Sequence, residues 1–457
     1  NAHNNRGTAA WDEDRAAEAA GWYRHALVLD PAHAEAWRNL GLAVGKLGGL
    51  EEAVGAYGRA LAVEPRHADS LGAAANAQRM LGRFAAAETS ARRALALRPD
   101  FAEALNTLGV VQQCGGALAA SAITLERVLV LRPGDAVARF NLSLSLLRGG
   151  DYARGWPLYE ARWEMEEVPA RPLSVPQWRG EDPAGRTILL HAEQGHGDTL
   201  QFVRYAPLLA RRGGRVVLAV QRALTRLLGP MPGVAAVHAL DEPIAGFDLH
   251  CPLMSLPMAF GTTVATIPAA PYLPVLAEWE APWRARLAGE RRLRVGLVWA
   301  GDPRPHMLNA NVVDRRRSLT LAALTPLAGT PGVVFVSLQK GGPAAQAKAP
   351  PPGLDLVDWM DEAGDFADTA GLVAQLDLVI TVDTSVAHLA GGLGKPVWVL
   401  SRHDACWRWL TGRDDSPWYP SLRLYRQEAP GDWTSVIGRL AADLRAWAGR
   451  ASGDCAP

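Results

Sequence analysis

Hydrophobic and polar positions along the first third of the chain recur with a fixed period. Pro31, Pro65, Pro99 and Pro133 stand 34 residues apart, and so do Gly48, Gly82, Gly116 and Gly150. Apolar pairs keep the same register at Ala26-Leu27, Ala60-Leu61, Ala94-Leu95 and Val128-Leu129. Between these markers the apolar residues fall at helical spacing, so each unit predicts helix, Gly turn, helix and a stop at Pro. Small residues at Gly41, Ala75 and Gly109 predict close helix packing. A partial unit ends at Pro31, and another begins at Arg139 and dissolves after Asp151.

The pattern then changes. From Glu160 to Asp182 the period is lost, and Pro169, Pro172, Pro176 and Pro183 interrupt regular structure. This stretch reads as a linker packed by Trp156, Trp163 and Trp178. After it, short β-rich runs alternate with helical patterns: TILLHA from Thr187, RVVLAV from Arg215, VAAVHAL from Val234 and FDLHCPL from Phe247. A Pro-rich bridge around Ile267–Pro282 separates these from a second block. That block holds RVGLVWA from Arg294, VVFVSLQ from Val333, LDLVDW from Leu354, LDLVITV from Leu376 and PVWVLS from Pro396, with helices near Leu319–Leu327 and Asp368–Leu376. Such alternation predicts parallel sheets covered by helices. The expected architecture is α + α/β: a helical repeat solenoid over 1–150, a linker over 151–182, and two Rossmann-like lobes over 183–280 and 281–457.

Composition narrows the function classes. Lys plus Arg number 47 and so do Asp plus Glu, so no basic field points to nucleic acid and no acidic excess to disorder. Only four of the cations are lysines: Lys46, Lys340, Lys348 and Lys395. Four scattered cysteines form no CxxC pair, which suggests a reduced compartment without structural zinc. No apolar run approaches the roughly 18–20 residues needed to cross a bilayer. The first residues are polar, lack the apolar core of a signal peptide and include no Met, which leaves the native start open and a cytoplasmic setting expected.

Candidate chemistry lies at the ends of the β-rich runs. After LDLVITV come Asp383, Thr384 and Ser385, then the helical VAHLAGGLG with His388. Ligands of open α/β sheets bind outside the carboxyl ends of strands, and a helix N-terminus favours phosphate there. The cluster therefore reads as a diphosphate cradle. The alternative is that Asp383 and Thr384 cap the helix and His388 is a core histidine. Gln339 and the rare Lys340 close another strand, where a compact cation suits a departing phosphate; the plain alternative is a solvated turn lysine. The segment Trp299–Leu319 reads as a loop over an anionic ligand, with Arg316 in an Arg315–Arg317 run of which at least one member must face solvent. In the first lobe, a Gly-His-Gly loop delivers Asp198 to a helix start, with His196 as a competing base; the alternative is a simple N-cap. The loop Ser401–Pro420 is dense in Trp and reads as a buttress of the lobe, or as a nucleobase or acceptor platform.

The 34-residue units resemble the tetratricopeptide repeat, which implies a concave face that binds a peptide or partner protein. Asn39 and Asn141 share one repeat position while Asn76 and Asn106 fall elsewhere, so no asparagine ladder is expected along it. The stretches GHGDTLQFVRY, GLVWAG, FVSLQKG and DTSVAHLAGGLGKPVWVL resemble family nine glycosyltransferases, the bacterial heptosyltransferase superfamily. The whole chain is similar to bacterial proteins that join tetratricopeptide repeats to such a domain. The resemblance implies a GT-B fold, an inverting mechanism and no catalytic metal or other cofactor beyond a nucleotide-sugar co-substrate. It implies Asp198 as base, with Asp383, Thr384, Ser385 and His388 around the donor and Lys340 at its diphosphate; position at a strand end and in the loop adds Gln339 and Arg316 to the expected donor side. Where heptosyltransferases hold a phosphate-binding lysine, this chain has Arg304, His306 and Arg315–Arg317. The acceptor implied is a protein hydroxyl, with flagellin as a suggested partner. The rivals are a lipid-linked or surface glycan acceptor, and a non-catalytic scaffold.

Overall fold

The computed structural model describes residues 2–165 and 173–453. Contacts divide it into two compact units, one running to Leu146 and including Arg304–Val313, the other comprising Leu147–Pro303 and the chain from Asp314 onward.

The first unit is a helical repeat solenoid. Its helices are α1 (Ala2–Asp12), α2 (Ala16–Leu29), α3 (Ala34–Lys46), α4 (Leu50–Val63), α5 (Ala68–Met80), α6 (Phe84–Leu97), α7 (Ala102–Cys114), α8 (Leu118–Leu131) and most of α9 (Ala136–Arg148). The expected punctuation is present. Helices α2, α4, α6 and α8 each end two residues before the periodic proline. The turn glycines Gly48, Gly82, Gly116 and Gly150 have φ of 87°, 76°, 81° and 85°, a region that costs a residue with a Cβ about 1 kcal/mol or more. Gly41 lets α3 meet α4 closely: a Cβ there would sit 2.5 Å from the Tyr57 ring. Asparagines of the repeats bond in two separate pairs. Asn141 Nδ2 donates to Asn106 Oδ1 at 3.0 Å, and Asn39 Nδ2 to Asn4 Oδ1 at 3.4 Å. The bonded partners are 35 residues apart, one step off the 34-residue register. Asn76 instead accepts from Arg79.

The second unit opens with α10 (Tyr152–Tyr159) and holds two parallel sheets. The first comprises β1 (Thr187–His191), β2 (Arg215–Val220), β3 (Val234–Ala239) and β4 (Leu249–Pro252) in the order β3-β2-β1-β4. The second comprises β5 (Leu293–Val298), β6 (Val333–Ser337), β7 (Leu356–Val357), β8 (Leu378–Val382), β9 (Val397–Ser401) and β10 (Leu422–Arg426) in the order β10-β9-β8-β5-β6-β7. Register is parallel throughout, for example Ile188↔Val216 and Val295↔Leu378. Central strands are buried on both faces, which is why they read as continuous apolar runs. Helices α11 (His196–Phe202), α12 (Ala206–Arg211), α13 (Thr225–Leu228) and α14 (Leu256–Ala259) accompany the first sheet; α15 (Ala277–Leu287), α16 (Leu308–Arg317), α17 (Phe366–Ala374), α18 (Ser385–Gly392) and α19 (Trp433–Gly453) follow.

Three expectations are corrected. The stretch expected as linker is built into the second unit where it is described. Trp156 packs edge-on to Trp407 with ring centroids 5.3 Å apart, and Trp178 N donates to His250 O on β4 at 2.7 Å. Pro169 and Pro172 lie outside the described residues. The Pro-rich bridge contains α15, which carries Pro282 in its interior and buries Trp279, Trp283 and Leu287. The expected loop after β5 contains the ten-residue α16. No helix among the described residues is long and apolar enough to cross a membrane.

Candidate functional site

Each sheet reverses its winding once. In the first, β1 runs to β2 on one side and later to β4 on the other; in the second, β5 is flanked by β6 and β8. Crevices open at the carboxyl ends of strands at such switch points. The candidate residues sit there: His196 and Asp198 open α11 beyond β1, and Asp383, Thr384 and Ser385 connect β8 to α18.

The two helix starts meet. A Cβ on Gly197 would lie 3.4 Å from Ser385 Cα and 2.9 Å from His388 Cδ2, so only glycine permits this approach. Thr384 is the N-cap of α18, but its side chain makes no cap hydrogen bond. Side-chain capping by Thr384 is therefore not realised; Ala387 N turns back onto the Thr384 carbonyl at 3.1 Å, while the N–H groups of Ser385 and Val386 lie at the helix end. Thr384 Oγ1 bonds Thr381 Oγ1 at 3.1 Å instead. Arg317 Nη1 donates to the Asp383 carbonyl at 3.0 Å, Arg316 pairs with Asp404 at 2.9 Å, and Arg315 is exposed. The segment after β5 thus splits: Asp314–Arg317 belong to the second unit, whereas Arg304 and His306 fall in the stretch grouped with the first.

Lys340 is exposed beyond β6 and donates to the Ala363 carbonyl just before α17, which leaves Nζ further protons for a ligand. Gln339 behaves differently from the expectation. Its Oε1 accepts from Trp299 N and Ala300 N at 3.0 and 2.9 Å, and its Nε2 donates to Ala300 O and Lys340 O at 3.0 and 2.9 Å. An amide has two acceptor and two donor positions. All are filled by backbone, so Gln339 staples β5 to β6 and has nothing left for a donor sugar. His388 is corrected likewise. It is buried, shares a 2.8 Å hydrogen bond between Nδ1 and the Tyr419 hydroxyl, and stacks on Trp409 at 5.6 Å. Burial, helped by the Arg408 charge, pushes its pKa down to about 3, so the ring is a neutral packing group beneath Gly197.

In the first lobe His196 stacks on Phe366 of α17, ring centroids 5.2 Å apart, and its burial lowers its pKa. Asp198 is not the N-cap; its Oδ2 reaches back to accept from Gly195 N at 3.0 Å. Its Oδ1 accepts from Arg408, a residue that sequence reasoning missed. Arg408 is nearly buried, and although burial opposes its charge, Cys406 and Asp198 hold the guanidinium firmly protonated. A second buried cation, Arg204, lies among Tyr272, Trp418 and Tyr419 and donates to the carbonyls of Gln201, Pro268 and Trp418. Exposed Arg226 pairs with Asp365 and Asp368 at the start of α17. The Trp-rich segment is the buttress: Trp407, Trp409 and Trp418 are buried. A signal for Arg408 existed in its place between Trp407 and Trp409, where a cation is rarely left without an acid partner.

The tetratricopeptide repeat family matches residues 38–102 and 73–136. Protein FlbA of Caulobacter vibrioides is 28% identical over 342 residues, covering 68% of this chain and 55% of that protein. The chain thus spans about half the length of the curated relative it matches. Among solved structures, MamA is 22% identical with a TM-score of 0.31, over 35% of this chain and 94% of that one. PilF of Pseudomonas aeruginosa is 21% identical with a TM-score of 0.32, over 35% and 73%. A repeat protein of Thermus thermophilus is 20% identical with a TM-score of 0.32, over 36% and 90%.

Proposed function

We propose that this chain is an inverting, metal-independent glycosyltransferase of GT-B type, similar to family nine, that moves a sugar from a nucleotide donor to a protein Ser or Thr hydroxyl. The repeats recruit the acceptor polypeptide, for which a flagellin-like protein is the suggested example. The observation that carries the reading is the meeting of the two motifs: Asp198 beyond β1 and the uncapped start of α18 beyond β8 abut through Gly197 and Ser385. Asp198 takes the proton of the acceptor hydroxyl. The acceptor oxygen bonds the anomeric carbon, and the electron pair of the breaking C–O bond leaves on the phosphate. Lys340 and the N–H groups of Ser385 and Val386 stabilise that charge.

A non-catalytic binding module is the second reading, favoured by the occupied hydrogen bonds of Asp198 and the burial of His388. Free nucleotide released from UDP-, GDP-, ADP- and CMP-sugars, with EDTA present, separates the two. The enzyme reading expects release from one class, undiminished by the chelator. Loss of activity in EDTA with rescue by magnesium or manganese would refute metal independence. No release and no thermal stabilisation by any nucleotide would establish the module.

A further inference from the structure

We propose that Arg408 is a positioning residue that holds the Asp198 carboxylate from the opposite lobe, so that the base is assembled from both sheets. This rests on the glycosyltransferase reading above. Arg408 follows β9 of the second sheet, whereas Asp198 follows β1 of the first. Its guanidinium donates from Nη2 to Asp198 Oδ1, from Nε to Gln201 Oε1 at 2.6 Å, and from Nη1 to Cys406 Sγ at 3.1 Å. With Gly195 N on Oδ2, each carboxylate oxygen carries one fixed bond, which sets the plane of the group and leaves a lone pair on each oxygen for an incoming proton.

The surroundings argue that the pair is kept for geometry. Arg408 lies against the Trp407 and Phe202 rings, 4.5 and 5.8 Å from their centroids, where an apolar side chain would pack without bringing a charge out of water. A buried ion pair seldom stabilises a fold more than such a replacement. Gln201 is fully buried and its Nε2 has no hydrogen-bond partner, so the amide is oriented for the guanidinium at its own expense. The same seam already contains a structural arginine, since Arg204 bonds only carbonyls and a phenol. Of these two, Arg408 is the one aimed at the candidate base. It exchanges no proton; the hydroxyl proton passes to Asp198 while the guanidinium stays charged.

The test uses the full chain with the sugar nucleotide that gives the fastest nucleotide release, water standing in for the acceptor. Rates and the affinity for the released nucleotide are measured for wild type, Arg408→Gln, Arg408→Lys, Asp198→Asn and the double variant Asp198→Asn/Arg408→Gln. A misplaced base predicts that Arg408→Gln slows turnover about 10–100-fold with nucleotide affinity within about twofold of wild type. Arg408→Lys should recover part of the rate, because an ammonium keeps the charge but not the fork. The double variant should be no slower than Asp198→Asn, as residues acting through one another are non-additive. If Arg408→Gln does not fold, an Arg408→Lys chain as fast as wild type refutes the proposal. So does a double variant slowed by the full product of the single effects, or an affinity loss matching the rate loss. Wild type that releases no nucleotide, or Asp198→Asn that releases it normally, fails the enzyme reading itself and takes the proposal with it.

Discussion

Gly197 shows how much at this site hangs on one missing methyl group. His388 cannot yield to a new Cβ, because its ring is tied to Tyr419 and stacked on Trp409. Gly197→Ala should therefore cost about 1–3 kcal/mol of stability and pry α11 from α18. Its melting temperature should fall and its nucleotide affinity with it. Gly195→Ala is the control: its backbone is extended and the nearest atom to a new Cβ is Asp198 Oδ2 at 3.4 Å. Equal melting temperatures for Gly197→Ala and wild type would show that the helix starts are not in contact. At this scale the sequence was a partial guide. Residue type and place at a strand end brought out Asp198, Thr384, Ser385 and Lys340. They could not reveal that backbone groups saturate the Gln339 amide, that His388 lies beneath a glycine, or that an arginine more than two hundred residues away grips Asp198. Those facts depend on three-dimensional partners.

Among elements, the stretch after the repeats was hardest to read, and its chemistry explains why. Arg162 is wholly buried and forks onto Glu193 at the end of β1 at 3.0 and 3.1 Å, while Glu160 binds the same guanidinium. Ser255 and Met254 N complete the network. Irregular sequence is thus fastened by polar contacts that leave no periodicity. Two carboxylates share one cation, and burial pushes the Glu193 pKa up from 4.5 to about 7. Between those values the unfolded chain has released a proton that the folded chain keeps, so stability falls as pH rises through the window and levels off above it. The loss is on the order of 3 kcal/mol. Measured against Glu193→Gln, wild-type melting temperature should decline from about pH 5 to about pH 7. No change relative to Glu193→Gln over that range would mean that Arg162 keeps Glu193 ionised. The repeats were legible for the opposite reason: their turns and contacts return every 34 residues, and local patterning alone dictates them. Strands β1, β5, β6 and β8 were legible as buried apolar runs. The helix α16, with three arginines in its last turn, was not.

For the whole molecule, the boundary between units sets what a fragment should do. Tyr152, Trp156 and Trp178 belong to the core of the second unit, with Trp418 Nε1 donating to the Tyr152 hydroxyl at 3.1 Å. A fragment beginning at Leu147 should fold, bind nucleotide and lose transfer to protein. One beginning at Pro183 should melt well below it, because the buried aromatic side chains of Tyr152, Trp156, Tyr159 and Trp178 are gone and each such truncation costs about 3–5 kcal/mol. Equal melting temperatures would make the intervening stretch a true linker. Protein transfer by the Leu147 fragment at the full-chain rate would remove the repeats from acceptor recruitment.

The division of labour at the meeting of α11 and α18 is tested most directly by calorimetric titration of the nucleotide diphosphates and monophosphates into wild type, Lys340→Ala and Asp198→Asn. Lys340 faces charge already present on the bound donor, so its loss should weaken binding by roughly 1.5–3 kcal/mol. Asp198 acts on the acceptor proton, so Asp198→Asn should bind nucleotide as wild type does. Normal binding by Lys340→Ala with impaired binding by Asp198→Asn would reverse the two roles, and absence of binding by wild type would contradict the account.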